Sequence, residues 1–171
     1  MNARLLVFGG ARFAPNNFHA YFNDVWALLL NGGLDWTRLT PTGTRPAIRQ
    51  GSLAAFDSRR HRMLVFGGAD SVQAFNDVWA LSLDGAPAWV RLDTQGTPPL
   101  SNHSSATGMI YDPIRDRLVA IGIASNGSSS DTTVVWTLPL GSSPGAASRR
   151  STGHPLLATT PRSCTTRGAT A

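Results

Sequence analysis

The apolar residues of this chain gather in short runs, such as Leu5-Leu6-Val7-Phe8, Val25-Trp26-Ala27-Leu28 and Met63-Leu64-Val65-Phe66, separated by stretches rich in Gly, Pro, Asn and Asp. Runs of that length bounded by turn formers predict β-strands joined by hairpins and loops rather than helices. The runs also repeat. Arg4-Leu5-Leu6-Val7-Phe8-Gly9-Gly10 returns as Arg62-Met63-Leu64-Val65-Phe66-Gly67-Gly68, and more loosely as Arg117-Leu118-Val119-Ala120-Ile121-Gly122-Ile123, at offsets of 58 and 55 residues. Phe22-Asn23-Asp24-Val25-Trp26-Ala27-Leu28 returns as Phe75-Asn76-Asp77-Val78-Trp79-Ala80-Leu81, and Val135-Trp136-Thr137-Leu138 echoes its end. Trp36-Thr37-Arg38-Leu39 returns as Trp89-Val90-Arg91-Leu92, and the run from Ser52 to Asp57 matches that from Ala106 to Asp112. Each unit therefore predicts one four-stranded antiparallel sheet. A sheet apolar on both faces buries them only by stacking against copies of itself.

A unit of about 50 residues whose second run closes on Gly67-Gly68, followed by Asn76-Asp77-Val78-Trp79 and Trp89-Val90-Arg91-Leu92, resembles the kelch repeat over residues 4–138. The resemblance implies an all-β fold, a partial kelch-type β-propeller of about two and a half four-stranded blades in an incomplete ring. Its strands run from a, innermost, to d, outermost. The expected repeat region is 1–140, with blade boundaries near 1–39, 40–92 and 93–140. Gly9, Gly10, Gly67 and Gly68 are expected where the backbone needs positive φ or close approach. Ile123 departs from that pattern in the last unit. Trp26, Trp36, Trp79 and Trp89 are expected to pack blade on blade. Asn23-Asp24 and Asn76-Asp77 are expected to cap turns at a strand entry.

Met1 to Arg4 aligns with Arg59 to Arg62, so the chain is expected to start inside an a–b turn, with earlier blades and any secretion signal upstream. Residues 141–171 abandon the repeat for an Ala-, Ser-, Thr- and Arg-rich text. The expectation is a low-complexity tail, either disordered or read from a shifted frame. A GC-rich coding of Leu157 to Thr170, regrouped by one base, spells an inner strand and turn like those around Asn102 to Asp112.

Composition narrows the picture. All 15 basic residues are Arg and all 10 acidic ones Asp, with 17 Gly, 11 Pro and a formal charge of +5. The charge is lopsided: residues 1–140 carry 11 Arg against 10 Asp, while Arg149, Arg150, Arg162 and Arg167 stand in the tail with no acid. A nearly neutral body argues against a nucleic-acid partner. No apolar run approaches a bilayer's thickness, so no membrane insertion is expected, and Met1-Asn2-Ala3-Arg4 has no signal-peptide layout. The compartment is not legible. Cys164, alone in the chain, excludes an intrachain disulfide framework and a Cys-cluster metal site.

Binding residues of such a scaffold belong on loops at one rim. In kelch proteins the b–c and d–a loops line the pocket, which here implies Ala11 to Tyr21, Ala69 to Ala74, Thr40 to Gln50 and Asp93 to His103. The candidate ligand-binding residues are Arg12, Asn17, His19, Tyr21, Arg45, Arg49, Asp70, Gln73, Asn102 and His103. Arg12 and Arg49 offer forks for carboxylates, and Tyr21 or Phe18 a stacking surface. No metal site or cofactor is expected, because the spacing of His19 and His103 demands neither. The expected function is a non-enzymatic recognition or scaffolding module for a protein, peptide or glycan, with further blades or self-association covering its open faces. The alternative is a fragment of a galactose oxidase-like propeller enzyme. That chemistry needs copper and a tyrosine–cysteine cross-link, and only Tyr21, Tyr111 and Cys164 offer these residue types.

Overall fold

The computed structural model describes residues 3–14, 19–94, 106–124 and 132–141, and all the regular elements among them are β-strands. They form successive antiparallel sheets. The first contains β1 (Arg4–Phe13), β2 (His19–Leu29) and β3 (Trp36–Leu39). The second contains β4 (Leu53–Asp57), β5 (Arg62–Phe66), β6 (Val78–Ser82) and β7 (Ala88–Leu92). The third contains β8 (Ala106–Asp112), β9 (Arg117–Ala124) and β10 (Thr132–Pro139). Within each sheet the strands neighbour one another in chain order, as short hairpin connections dictate. The architecture is that of a partial propeller.

Alternation along the strands of the second sheet sends neighbouring side chains to opposite sides. Met63, Val65, Trp79, Leu81 and Trp89 face the first sheet and join Val25, with Leu6, Phe8 and Leu39 packed alongside. Leu64, Val78 and Ala80 face the third sheet and meet Leu118, flanked by Met109, Tyr111 and Leu138. Leu64, Val65 and Leu81 are completely buried. Met63 to Val65 and Val78 to Leu81, in the two central strands, are thus buried whichever way they point, because the second sheet has a neighbour on each side.

The tryptophans divide accordingly. Trp79 and Trp89 are buried in the joint between the first two sheets, and Trp89 meets Phe8 edge-on at 5.2 Å between ring centroids. Trp26 and Trp36, at the same repeat positions in the first sheet, point to its exposed side. The Asp of each Asn-Asp pair does not cap a turn. Asp24 and Asp77 instead accept the indole N–H of the Trp two residues on, at 2.9 and 2.7 Å.

The two glycine doublets act differently. In the second sheet β5 ends at Phe66, and Gly67 and Gly68 follow with φ of 65° and 88°. In the first sheet the ladder runs through the doublet with a bulge between Phe8 and Gly10 and continues to the pair Phe13 and His19. Of the expected b–c loop from Ala11 to Tyr21, residues 11–13 and 19–21 are therefore strand. In the second sheet the Asp70 carboxylate binds the N–H groups of Val72 and Gln73, winding the chain into a turn instead of a ladder. Arg12 pairs with Ala20 in the first sheet.

A Cβ on Gly68 would sit 2.6 Å from the Gln50 carbonyl oxygen and 3.0 Å from the Ser52 nitrogen. Gly68→Ala is accordingly expected to cost roughly 1–3 kcal/mol of stability. Gly85→Ala provides the control, with positive φ but open space around it. Urea titration of both variants checks the ranking, and equal losses would place the cost in φ alone.

Candidate functional site

The rim that carries the b–c and d–a loops is organised by Arg49. Its backbone belongs to the first sheet: the Gly10 N–H donates to the Arg49 carbonyl and the Arg49 N–H to the Phe22 carbonyl, both at 2.9 Å. Its side chain belongs to the second. The guanidinium grips both oxygens of Asp77, donates to the Gly67 carbonyl at 2.9 Å and to the Ala47 carbonyl at 3.0 Å, and lies 3.9 Å above the Phe75 ring. Next in the chain, Gln50 exchanges backbone hydrogen bonds with Ala69. This one lead-in segment therefore fastens two sheets together.

Arg49 is 1% exposed, so the carboxylate fork expected there is already filled by Asp77 and is closed to a ligand. The sequence offered little to reveal this. The counterpart segment before β8 reads Asn102-His103-Ser104, so the repeat supplies no second Arg at that place.

Of the other expected residues, Arg12, Arg45 and Gln73 are exposed at the rim, and Tyr21 and Asp70 are half-buried. His19 begins β2. Asn17, Asn102 and His103 lie outside the described residues, as do Cys164 and all of 142–171. Among the described residues, no group of three or more His, Cys, Asp or Glu is placed to hold a metal ion.

A cavity of about 190 Å³ opens at this rim between the first two sheets, lined by Asn23, Asp24, Arg38, Leu39, Arg45 and Trp89 among others. The chain after β3 forms its wall. Thr42 pairs with the outer strand of the second sheet, donating to the Pro87 carbonyl and accepting from the Trp89 N–H, each at 2.9 Å. The Asn23 side-chain amide holds the Pro46 carbonyl at 2.9 Å. Arg38 lines the cavity as well and is not among the candidate residues drawn from the sequence, where it stands only as part of the repeated Trp36 to Leu39 run. Its place at the end of β3, before the loop that contains Arg45, is the signal that would have found it.

The opposite rim carries the a–b turns. Asp57, completely buried, accepts from the N–H groups of Arg59 and Arg60 and from the side chains of Arg60 and Arg62. Asp112 repeats the arrangement with the N–H groups of Ile114 and Arg115 and the side chain of Arg117. Arg60 also crosses to the third sheet and forks onto Asp116 at 2.7 and 2.6 Å, while Tyr111 donates to the same carboxylate at 2.8 Å. These are scaffold bonds.

They tie stability to pH. The Asp116 carboxyl is held far below the ordinary range, chiefly by the Arg60 fork and further by the Tyr111 hydroxyl. Burial opposes the charge on Asp57, but the Arg62 and Arg60 hydrogen bonds outweigh it and leave its pKa lowered. At Asp77 burial is likewise outweighed by Arg49 and Trp79. The Tyr111 hydroxyl is pushed up to about 12, first by desolvation and then by its bond to Asp116. Depressed carboxyl pKa values contribute stability that is complete well above the ordinary 3.8 and is lost as pH falls through the folded values. The urea midpoint is expected to fall between neutral pH and about pH 2, and to fall less steeply in Asp57→Asn/Asp116→Asn. An unchanged slope in that variant would contradict the assignment.

A kelch-repeat domain model, described as the KLHDC2/KLHL20/DRC7 Kelch-repeats domain, matches residues 1–142. The chain belongs to the kelch-repeat family. A kelch-type chain of this kind is also similar to dynein regulatory complex subunit 7 of Chlamydomonas reinhardtii, with 28% identity over 100 residues. That match covers 58% of this chain and 8% of the algal protein, so the chain spans a small part of its relative's length. The kelch assignment agrees with the sheet order and with the place of Gly67-Gly68 directly after the b strand of the second sheet.

Proposed function

We propose that this kelch-repeat chain is a non-enzymatic protein-interaction module that takes a carboxylate-bearing peptide segment of a partner at the loop rim between its first two sheets. The rim cavity carries the reading, because its lining sets Arg38 and Arg45 against the single carboxylate of Asp24, beside a wall held by Thr42 and Asn23. Such a wall presents donors with little loss of loop entropy on binding. The family supports an interaction role, and the relative's printed name, a subunit of a regulatory complex, fits a domain that acts by assembly.

The test is selection from a displayed random peptide library. Peptides rich in Asp and Glu should be enriched, and Arg38→Ser/Arg45→Ser should weaken the selected peptides by at least about tenfold, near 1.4 kcal/mol. Peptides without acidic residues, or binding indifferent to that double substitution, would overturn the reading.

A further inference from the structure

We infer that two copies of this chain join head to tail, the open side of β1–β3 of one copy seating on the open side of β8–β10 of the other. The molecule itself shows what covers such a side. Each internal joint mates two different faces. One is the face that Leu6, Phe8, Val25 and Leu39 present in the first sheet, and that Leu64, Phe66, Val78 and Leu92 present at the same repeat positions in the second. The other is the tryptophan face, presented by Met63, Val65, Trp79, Leu81 and Trp89 in the second sheet.

The two outer faces of the molecule are one of each kind. By strand register, Leu5 and Leu28, Val7 and Trp26, Leu28 and Trp36, and Trp26 and Arg38 share the outer side of the first sheet, which is a tryptophan face with Arg38 where the second sheet has Arg91. Ile110 and Val119, Ile121 and Val135, and Val119 and Thr137 share the outer side of the third, which repeats the opposite face with Thr137 in place of Ala80. Leu5, Val7, Trp26, Trp36, Ile110 and Val135 are each between 36% and 63% exposed. Apolar side chains clustered in this way mark an interaction surface. Because the ends differ and are complementary, the contact is heterologous: either kind of face finds its mate on another copy and not on its own counterpart.

The Arg latch of the internal joint is not reproduced. Arg115 stands where Arg60 does, but Ala3 occupies the place of Asp116 in the first repeat. The association therefore rests on apolar burial and dissociates on dilution.

The experiment is sedimentation of the full chain with one variant on each face, Val7→Arg and Val135→Arg. The wild-type chain should run above its 18.2 kDa mass at high concentration and return to it on dilution. Each variant alone should stay at the single-chain mass. Mixed in equal amounts, they should form a one-to-one pair, because each keeps the face that the other has lost. Leu5→Arg and Ile110→Arg form a second pair should either first variant lose its β-sheet circular dichroism. Three results overturn the inference: a wild-type chain at single-chain mass throughout, as when residues 142–171 cover a face; a variant that still associates by itself; or a mixture that does not pair.

Discussion

Arg49→Ala should lower the folding free energy by about 3–5 kcal/mol, the range for removing one partner of a buried ion pair. The loss is large for two reasons. Asp77 would keep its charge in a half-buried site beside the Trp79 indole with its guanidinium partner gone, and the Gly67 carbonyl would lose its guanidinium donor. The Arg49 backbone would still bridge Gly10 and Phe22, so the two sheets should loosen at the rim without separating. Asp77→Ala should cost nearly as much, since it strands the cation. The double variant should cost clearly less than the sum, because neither charge is then left alone. Urea denaturation of the four proteins reads this cycle, and a loss in Arg49→Ala below about 1 kcal/mol, the worth of a surface pair, would contradict it.

The second large effect is expected at Trp89. Trp89→Ala removes a side chain that is 4% exposed and packed on Phe8, and should cost about 3–5 kcal/mol. Trp36, at the same place in the first repeat, is 50% exposed, and Trp36→Ala should cost under about 1 kcal/mol. The comparison belongs in the Val135→Arg background, which keeps the tryptophan face of the first sheet unoccupied. The same residue at two repeat positions thus carries different energies. Equal losses would mean that the sheet stack does not decide them.

Much of the architecture was legible because a repeated strand pattern states both the element and its neighbour. The four runs from Leu53 to Leu92 appear as four strands in order, and the alternation of Met63, Leu64 and Val65 already specifies two apolar faces. Less legible was anything decided by a single side chain in three dimensions. The doublets Gly9-Gly10 and Gly67-Gly68 read alike, yet one is a bulge within a ladder and the other a strand end, because Asp70 draws its chain into a turn. Arg49 read as a rim cation because neighbouring loop residues are polar. Its burial depends on Asp77, 28 residues away, and no spacing rule connects the two. Arg38 and Arg45 converge on one cavity only once Thr42 has paired with the outer strand of the second sheet.

Native-state hydrogen exchange tests most directly whether each sheet is kept dry by the next. Amides of β5 and β6 should exchange only through global unfolding, and Val25→Ala in the first sheet and Leu118→Ala in the third should each lower their protection by the full stability loss measured in urea. Both side chains lie in the joints that cover the second sheet, one on each side. Protection of β5 and β6 that is untouched by both substitutions would show a sheet that stands without its neighbours, and would contradict the account.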